Sequence, residues 1–399
     1  MLDPESPPRE PMCRENYPIG PAAATPSLRR LLCERIARDG PLGFPDFMAA
    51  ALYEPACGYY ARGARQLGRG GDFFTSVSVG PLFGELLARR FLREWRETGR
   101  PSRWRILECG AHDGALAADI LAALESADNA AFGSLEYAIS EPLPALQTAQ
   151  RATLRRFAKR VRHVNHPGAL SADPLPGIAF GNEVLDALPC HLIEWRGGEW
   201  LERRVALNAA GDFTWHSAEI RDSALLAALA PLGGNFPDGY RSEIRTCYRD
   251  FLAPLASALT SGLMIWADYG FARPDYYHPH RITGTLRTFS KHQADENPLA
   301  NPGAADITAH VDFTAVAEAA RTLGGCPAVF RDQGAWLTEN ARDWLLEMEG
   351  APQPAAIRQF QTLTHPAHMG GRFHFMELSW RAAGQGSPAL RPCPAPEPR

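Results

Sequence analysis

No apolar run in this 399-residue chain approaches the length of about 20 residues needed to span a bilayer. A surplus of charge of one sign is missing too. The 41 basic and 45 acidic residues leave a net charge of −4, so there is no global attraction to nucleic acid or to an anionic membrane. Cysteine is sparse and scattered, at Cys13, Cys33, Cys57, Cys109, Cys190, Cys247, Cys326 and Cys393. No Cys-x-x-Cys pair occurs, so neither a zinc site nor a redox motif is indicated and no metal is expected. Thiols of this kind suit a reducing compartment. The first 26 residues hold no apolar signal core and are not the Arg/Ser-rich stretch of a transit peptide. The location this predicts is cytoplasmic.

What is present divides the chain. Residues 1–26 are rich in proline and charge and read as a disordered arm, and 384–399 as a disordered proline-rich tail. Residues 27–100 read as an N-terminal helical region. Leu28, Leu31, Leu32 and Ile36 share one helical face behind Ser27 as N-cap. Further helices are predicted near Pro45–Leu52 and Pro81–Trp95, separated by a glycine-rich stretch from Gly58 to Gly71. Residues 101–380 alternate short buried strands with amphipathic segments. Strands are predicted at Arg105–Cys109, Tyr137–Ser140, Val161–Val164, Gly177–Phe180 and Leu263–Ala267, and helices at Ala115–Leu124, Pro144–Phe157 and Asp312–Leu323. That alternation implies an α/β fold with a mainly parallel, doubly wound sheet. An insertion at about 191–240 carries a hairpin turn, Trp195-Arg-Gly-Gly-Glu-Trp200, and a helix.

Three segments carry chemistry. The first strand runs into Glu108-Cys-Gly110-Ala-His112-Asp-Gly114, where glycines allow positive φ and close approach to a ligand at the carboxyl edge of the sheet. A pyrophosphate cofactor would want Gly-x-Gly-x-x-Gly here, and the chain lacks it. That absence speaks against a dinucleotide-dependent oxidoreductase. An acid beside the loop, Glu108, suits a cationic ligand such as the sulfonium and amino group of S-adenosylmethionine. The second segment, Tyr137-Ala-Ile-Ser-Glu141, ends in an acid able to accept both hydroxyls of a ribose. The third, Asn182-Glu183-Val-Leu-Asp186-Ala-Leu-Pro189, places polar groups at the same edge, where an acceptor belongs. Each has a plainer reading: a strand–helix turn, a solvated carboxylate, and a capping cluster on a following helix.

Taken together with other blocks, these segments resemble the MidA/NDUFAF-seven family of methyltransferases that use S-adenosylmethionine. The blocks are Gly40-Pro-Leu-Gly-Phe-Pro-Asp-Phe-Met48, Tyr53-Glu-Pro-Ala-Cys-Gly-Tyr-Tyr60, Gly71-Asp-Phe-Phe-Thr75, Pro81-Leu-Phe-Gly-Glu85, Asp268-Tyr-Gly270, Tyr276-Tyr-His-Pro279, Gly284-Thr-Leu-Arg287 and Asp306-Ile-Thr-Ala-His310-Val-Asp312-Phe313. The resemblance implies a Rossmann-like sheet with an N-terminal helical cap and inserted and C-terminal additions, and S-adenosylmethionine as cofactor. It also implies a protein substrate, methylated on arginine. Mitochondrial members are complex I assembly factors, which makes a respiratory-complex subunit a candidate partner. Two departures stand out: His112 replaces a middle glycine, and Val77-Ser78 replaces Pro-Glu, removing a carboxylate at 78. They keep open a second reading, a non-catalytic cofactor-binding assembly protein.

The expected cofactor contacts are Gly71, Asp72, Thr75, Glu108, Gly110, His112, Gly114, Glu141 and Asn182, with 70–75 closing over the site as the family suggests. The expected catalytic acids are Glu183, Asp186 and Asp268. A guanidinium stays protonated in water, so a carboxylate must orient it and a group must receive its proton. His278, His280, His292 and His310 match no metal-site spacing and read as loop residues. The region at 191–240 leaves room for a homodimer without requiring one.

Overall fold

The computed structural model describes residues 27–62, 75–290, 293–295 and 297–381. The predicted arm, the predicted tail, Gly71, Asp72 and the rest of the closing segment before Thr75, and His292 lie outside the described residues.

The central sheet is built from β1 (Trp104–Cys109), β2 (Leu135–Ser140), β3 (Val161–Val164), β4 (Leu175–Asn182), β5 (Leu259–Phe271), β6 (Cys326–Asp332) and β7 (Phe373–Arg381). Their spatial order is β6-β7-β5-β4-β1-β2-β3, and Val311–Asp312 adds a short parallel strand to the end of β5. Pairs β1–β2, β1–β4, β2–β3 and β4–β5 are parallel, while β7 runs antiparallel to both its neighbours. The chain winds outward from β1 in both directions. A crevice therefore opens between the carboxyl ends of β1 and β4, where doubly wound sheets hold their ligands.

Both faces of this sheet are covered, which is why its strands read as continuous apolar runs. Ile106, Tyr137, Ile178, Phe180 and Ile265 face the helices Leu82–Glu97, Ala115–Ala127 and Gln333–Asn340. Leu107, Ala138, Ala179, Met264 and Trp266 face Tyr248–Ser257 and Phe313–Thr322. The five predicted strands all form, each at least as long as expected. The antiparallel β7 and the helices from Gln333 to Thr364 escape a reading that seeks alternation of strand and helix.

The insertion forms a second, antiparallel sheet of His191–Arg196, Glu199–Leu207, Phe213–Glu219 and Arg241–Ile244, joined at its edge by Leu42–Gly43. The anticipated hairpin is present: Trp195 pairs with Trp200 and Arg196 with Glu199 across Gly197 and Gly198. Both glycines have positive φ, 61° and 87°, as a two-residue turn of this type demands. The helices Leu28–Asp39 and Phe44–Tyr53 pack on this sheet rather than on the central one. Leu32, Phe44, Phe47, Met48, Leu192 and Val205 share one core. Ser27 does cap the first helix, accepting from the Arg30 N–H.

Candidate active site

Gly110, at the end of β1, has φ 70°, and a Cβ there would lie 2.6 Å from Val184 Cγ2. The loop from β1 thus packs directly on the loop from β4, and only glycine permits it. His112 also takes a left-handed conformation, φ 48°, and Gly114, φ 84°, opens the Ala115–Ala127 helix. Asp113 accepts from the Ala115 N–H at 3.0 Å and caps it. His112 can occupy a position usually given to glycine because histidine is among the residues that tolerate this region best.

β1 and β2 are tied at this edge by one buried amide. Gln150 Nε2 donates to the His112 carbonyl at 3.0 Å and to Glu141 Oε2 at 3.2 Å. Glu141 Oε1 accepts from the Leu143 N–H at 2.9 Å. The carboxyl is 4 % exposed, and burial pushes its pKa up against the pull of these donors. Glu108 lies deeper in the sheet. Its Oε2 accepts from the Tyr137 hydroxyl at 2.7 Å, and burial pushes its pKa up to about 8.

Past Asn182 the sequence allowed a helix, and the structure corrects this: residues 183–188 form irregular turns. The cause is Asp268 at the end of β5. Its Oδ2 accepts from the N–H groups of Val184, Leu185 and Asp186 at 3.1, 2.8 and 3.2 Å, and its Oδ1 from Tyr269 N–H at 2.8 Å. Those N–H groups converge on one carboxylate instead of entering a helical ladder. Glu183 takes φ 54°, and its Oε1 accepts from Asn182 Nδ2 at 2.9 Å. Burial and the nearby Asp186 push the Glu183 pKa up to about 8. Burial likewise raises Asp186 to about 6, against the pull of Arg245. Asp268 is pushed well up by burial, Asp186 and Glu183, against the backbone donors that hold it.

Arg245 is a group the sequence did not single out. Its buried guanidinium donates to the carbonyls of Leu188 (2.8 Å), His310 (2.7 Å), Ala309 (2.7 Å) and Asp186. It pins the 186–188 turn to residues 309–310. Next to it, Glu243 accepts from the Thr285 and Leu286 N–H groups and from the Thr285 and Tyr276 hydroxyls. The separate sequence blocks at 276, 284–287 and 306–313 therefore converge on one structure. Burial, with Arg281, Arg287 and Arg245 facing it, holds His310 neutral, its pKa lowered to about 4.

On the N-terminal side, the Tyr53 hydroxyl donates to the Ala187 carbonyl at 3.0 Å and the Tyr60 hydroxyl to Asp306 Oδ1 at 3.0 Å. The two rings stack with centroids 5.4 Å apart. Thr75 and Ser78 form a capping box around the short Ser76–Val79 helix, with Ser78 Oγ accepting from the Thr75 N–H. A glutamate normally fills that N3 position. The Ser78 hydroxyl performs its capping function here, so the departure at 78 is locally accommodated.

Among the described residues, three of the buried polar atoms without a protein partner lie at this edge: His112 Nε2, Gln150 Oε1 and Asn182 Oδ1. Buried groups of this kind normally find a partner, in protein, water or ligand. Unmatched atoms at the ends of β1 and β4 and beyond β2, around a glycine-lined crevice, fit a polar cofactor.

Comparison with known proteins bears on that cofactor. Residues 86–329 match a family described as putative S-adenosyl-L-methionine-dependent methyltransferase. A Burkholderia thailandensis protein solved bound to S-adenosyl-homocysteine superposes with a TM-score of 0.77 and 33% identity, over 88% of this chain and 91% of that one. The protein arginine methyltransferase NDUFAF7 homologue of Drosophila melanogaster is 30% identical over 88% of this chain and 84% of its own length. The human NDUFAF7 is 28% identical over 89% and 83%. The Drosophila and human relatives are named as mitochondrial proteins, which overturns the cytoplasmic expectation. That expectation leaned on a missing apolar signal core, which speaks only against secretion, on residues 1–26 lacking an Arg/Ser-rich composition, a sign the names of the relatives outweigh, and on free thiols, which suit any reducing compartment.

Proposed function

The chain belongs to this family of S-adenosylmethionine-dependent methyltransferases, and from that premise we propose that it methylates arginine side chains of a protein. The observation that carries this reading is the group of acids at the acceptor side of the crevice. Glu183 and Asp186 sit beside the cofactor edge, and burial raises the pKa of both. A cation docked there would favour the ionised form of both carboxyls. The named activity of the relatives, protein arginine methylation, agrees with such a cation. By the family resemblance, the acceptor protein is a respiratory-complex subunit.

When bound, S-adenosylmethionine supplies an electrophilic methyl group, whose bond to sulfur breaks with the electron pair left on sulfur as the acceptor nitrogen's lone pair forms the new N–C bond. The chain's residues do the rest. Gly110 and Gly114 let the backbone approach the cofactor. Glu141, held by Gln150 and the Leu143 N–H, accepts from the ribose hydroxyls. His112 Nε2 and Asn182 Oδ1 offer further cofactor contacts, and Glu108 acts from beneath the loop. Thr75 completes the cofactor side with its capped turn. Gly71 and Asp72 belong to the same proposed set by resemblance. Asp186 orients the guanidinium. Glu183 receives the proton that the nitrogen sheds as it becomes bonded to the methyl group. Its pKa near 8 falls when a cation docks beside it, making it a base at the moment of need. Asp268 is a positioning residue, because its Oδ2 holds the N–H groups of Val184, Leu185 and Asp186, the backbone that presents Glu183 and Asp186.

The test is incubation with methyl-labelled S-adenosylmethionine and a whole-cell protein extract, followed by hydrolysis. Label in methylarginine is the expected result. Label in another residue or molecule would overturn the arginine assignment. Tight S-adenosylhomocysteine binding with no label transferred would favour the non-catalytic alternative.

A further inference from the structure

We propose that the strip of rings between Arg281 and Arg372 docks the acceptor polypeptide, and that its two end arginines select acidic side chains on either side of the arginine to be methylated. This rests on the arginine reading above and adds to it the charge of the acceptor's flanking sequence. The strip begins on the scaffold of the acceptor acids. Tyr269 follows Asp268, and its ring lies 3.9 Å from that of Phe373, its partner in register across β5 and β7. The His310 ring runs nearly parallel to Tyr269 at 6.1 Å, and Phe271 lies 5.4 Å from His310. The Arg281 guanidinium closes the row, 4.4 Å from the Phe271 centroid. Tyr269, Phe271, His310 and Arg281 are half-buried, and Arg372, beside Phe373, is exposed, so the row has an outer face. A cavity of about 430 Å³ adjoins it. His374, 6.4 Å from Phe271 and paired in register with Asp268, lines that cavity together with Arg331, Asp332 and Ala335. Half-exposed rings beside a cavity the size of a side chain are the usual makings of an interface.

Charge identifies the guest. Among the described residues, Arg281, Arg287 and Arg372 make no ion pair, whereas Arg273 pairs with Asp312 and Glu318, and Arg331 with Glu339. Arg281 Nη2 donates to the Asp275 carbonyl at 3.3 Å, and its buried Nε has no partner. Arg287 donates to the Leu286 carbonyl at 2.7 Å. The acids that face His374, Asp275 and Asp332, are ion-paired with none of the three. His310 feels Arg281, Arg287, Arg245 and His374, and its buried Nδ1 is also without a partner. Tyr269, in the middle of the strip, feels Glu183 and Asp186 on one hand and Arg372 on the other. Cations therefore stand at both ends, with carboxylates alongside the middle. The complement is a chain that carries one cation between two anions: an arginine flanked by aspartate or glutamate. A uniformly basic segment would set like charges together at both ends. Pairs as exposed as these govern selectivity more than raw affinity, and salt screens them.

Short peptides with one central arginine, flanked on both sides by aspartate, asparagine or lysine, test the strip through their binding to the full chain saturated with S-adenosylhomocysteine. At low salt the aspartate peptide is expected to bind about fivefold tighter than the asparagine peptide, and the lysine peptide weaker still, with the spread shrinking as salt is added. Arg281→Gln and Arg372→Gln combined should abolish the spread and leave S-adenosylhomocysteine affinity unchanged. Arg281→Lys, which keeps the charge, should keep the spread. An Arg281→Gln variant that weakens all three peptides alike would make that residue a mere brace for Phe271 and overturn the proposal. Equal binding of the three peptides by the wild type, or no aspartate peptide bound at millimolar concentration, overturns it as well. Arg372 is exposed, so Arg372→Gln alone decides if Arg281→Gln fails to fold. It should lose part of the aspartate preference, and an unchanged preference there refutes the two-ended strip. The arginine reading fails separately, when extract labelling by the wild type yields no methylarginine. An aspartate preference that survives replacement of the central arginine by alanine would then keep the strip without that reading. Methylarginine formed with no charge preference among the three peptides would sink the strip alone.

Discussion

The crevice has two halves built in opposite ways. The half under β1 and β2 is local: a loop of five residues, one glutamate at the next strand's end, and one glutamine that bridges them. The half beyond β4 and β5 draws on five distant stretches of chain, at residues 53–60, 183–188, 245, 268 and 306–310, joined by an arginine bonded to four carbonyls and an aspartate bonded to four N–H groups. The first half is shaped by backbone conformation. The second is held by buried charge. A cofactor common to many enzymes needs little more than a glycine-permitted approach and a few fixed acceptors, while an acceptor pocket must be assembled around its own guest.

Arg245→Met should break the second half and spare the first. Losing one buried guanidinium strands several carbonyls and costs about 3–4 kcal/mol in urea unfolding. The folded fraction should still bind S-adenosylhomocysteine, and a matching loss of cofactor affinity would mean the halves are one unit. Glu183→Gln should lower turnover about 100-fold. In the wild type, kcat/KM should rise with pH toward a limb near 8, because the free enzyme's Glu183 must first lose its proton. The limb in kcat should lie lower, since a bound cation favours the carboxylate. A pH profile unchanged in Glu183→Gln would remove that residue from proton transfer.

Glu108→Gln probes the buried acid of the first half. Its folded pKa, about 8, is raised above an ordinary value of 4.5. The stability its neutral form contributes is therefore full below pH 4.5 and lost as pH rises through 8. Glutamine keeps the bond from Tyr137 and does not titrate. Between pH 6 and 8 the ligand-free variant should gain about 2 kcal/mol on the wild type in chemical unfolding. A constant difference across that range would mean Glu108 is ionised throughout. The smallest effect is expected of Glu141→Ala, about a tenfold weaker S-adenosylhomocysteine affinity by calorimetry, with the fold intact.

The contrast also explains what could be read from the chain. The strands, the glycine loop and Glu141 follow from short-range patterns: apolar runs, glycines at turns, an acid at a strand's end. Glu183 and Asp186 were visible as residue types at the right edge, but their conformation was not. Asp268 binds N–H groups 82 to 84 residues away and so replaces a helix by turns. Arg245, Tyr53 and Tyr60 act through partners 57 to 246 residues distant, which no local period reveals. Their only trace was indirect: Tyr53 and Tyr60 lie in a family block, and Arg245 in none. The departure at 78 looked like a lost functional acid and is accommodated within a capping box.

The separability of the halves is tested most directly by measuring S-adenosylhomocysteine affinity and methyl transfer side by side in Glu141→Ala and Glu183→Gln. The expected result is a double dissociation, with Glu141→Ala weakened in affinity and Glu183→Gln binding like wild type but failing to transfer. Equal loss of affinity in both variants, or full transfer by Glu183→Gln, would contradict it.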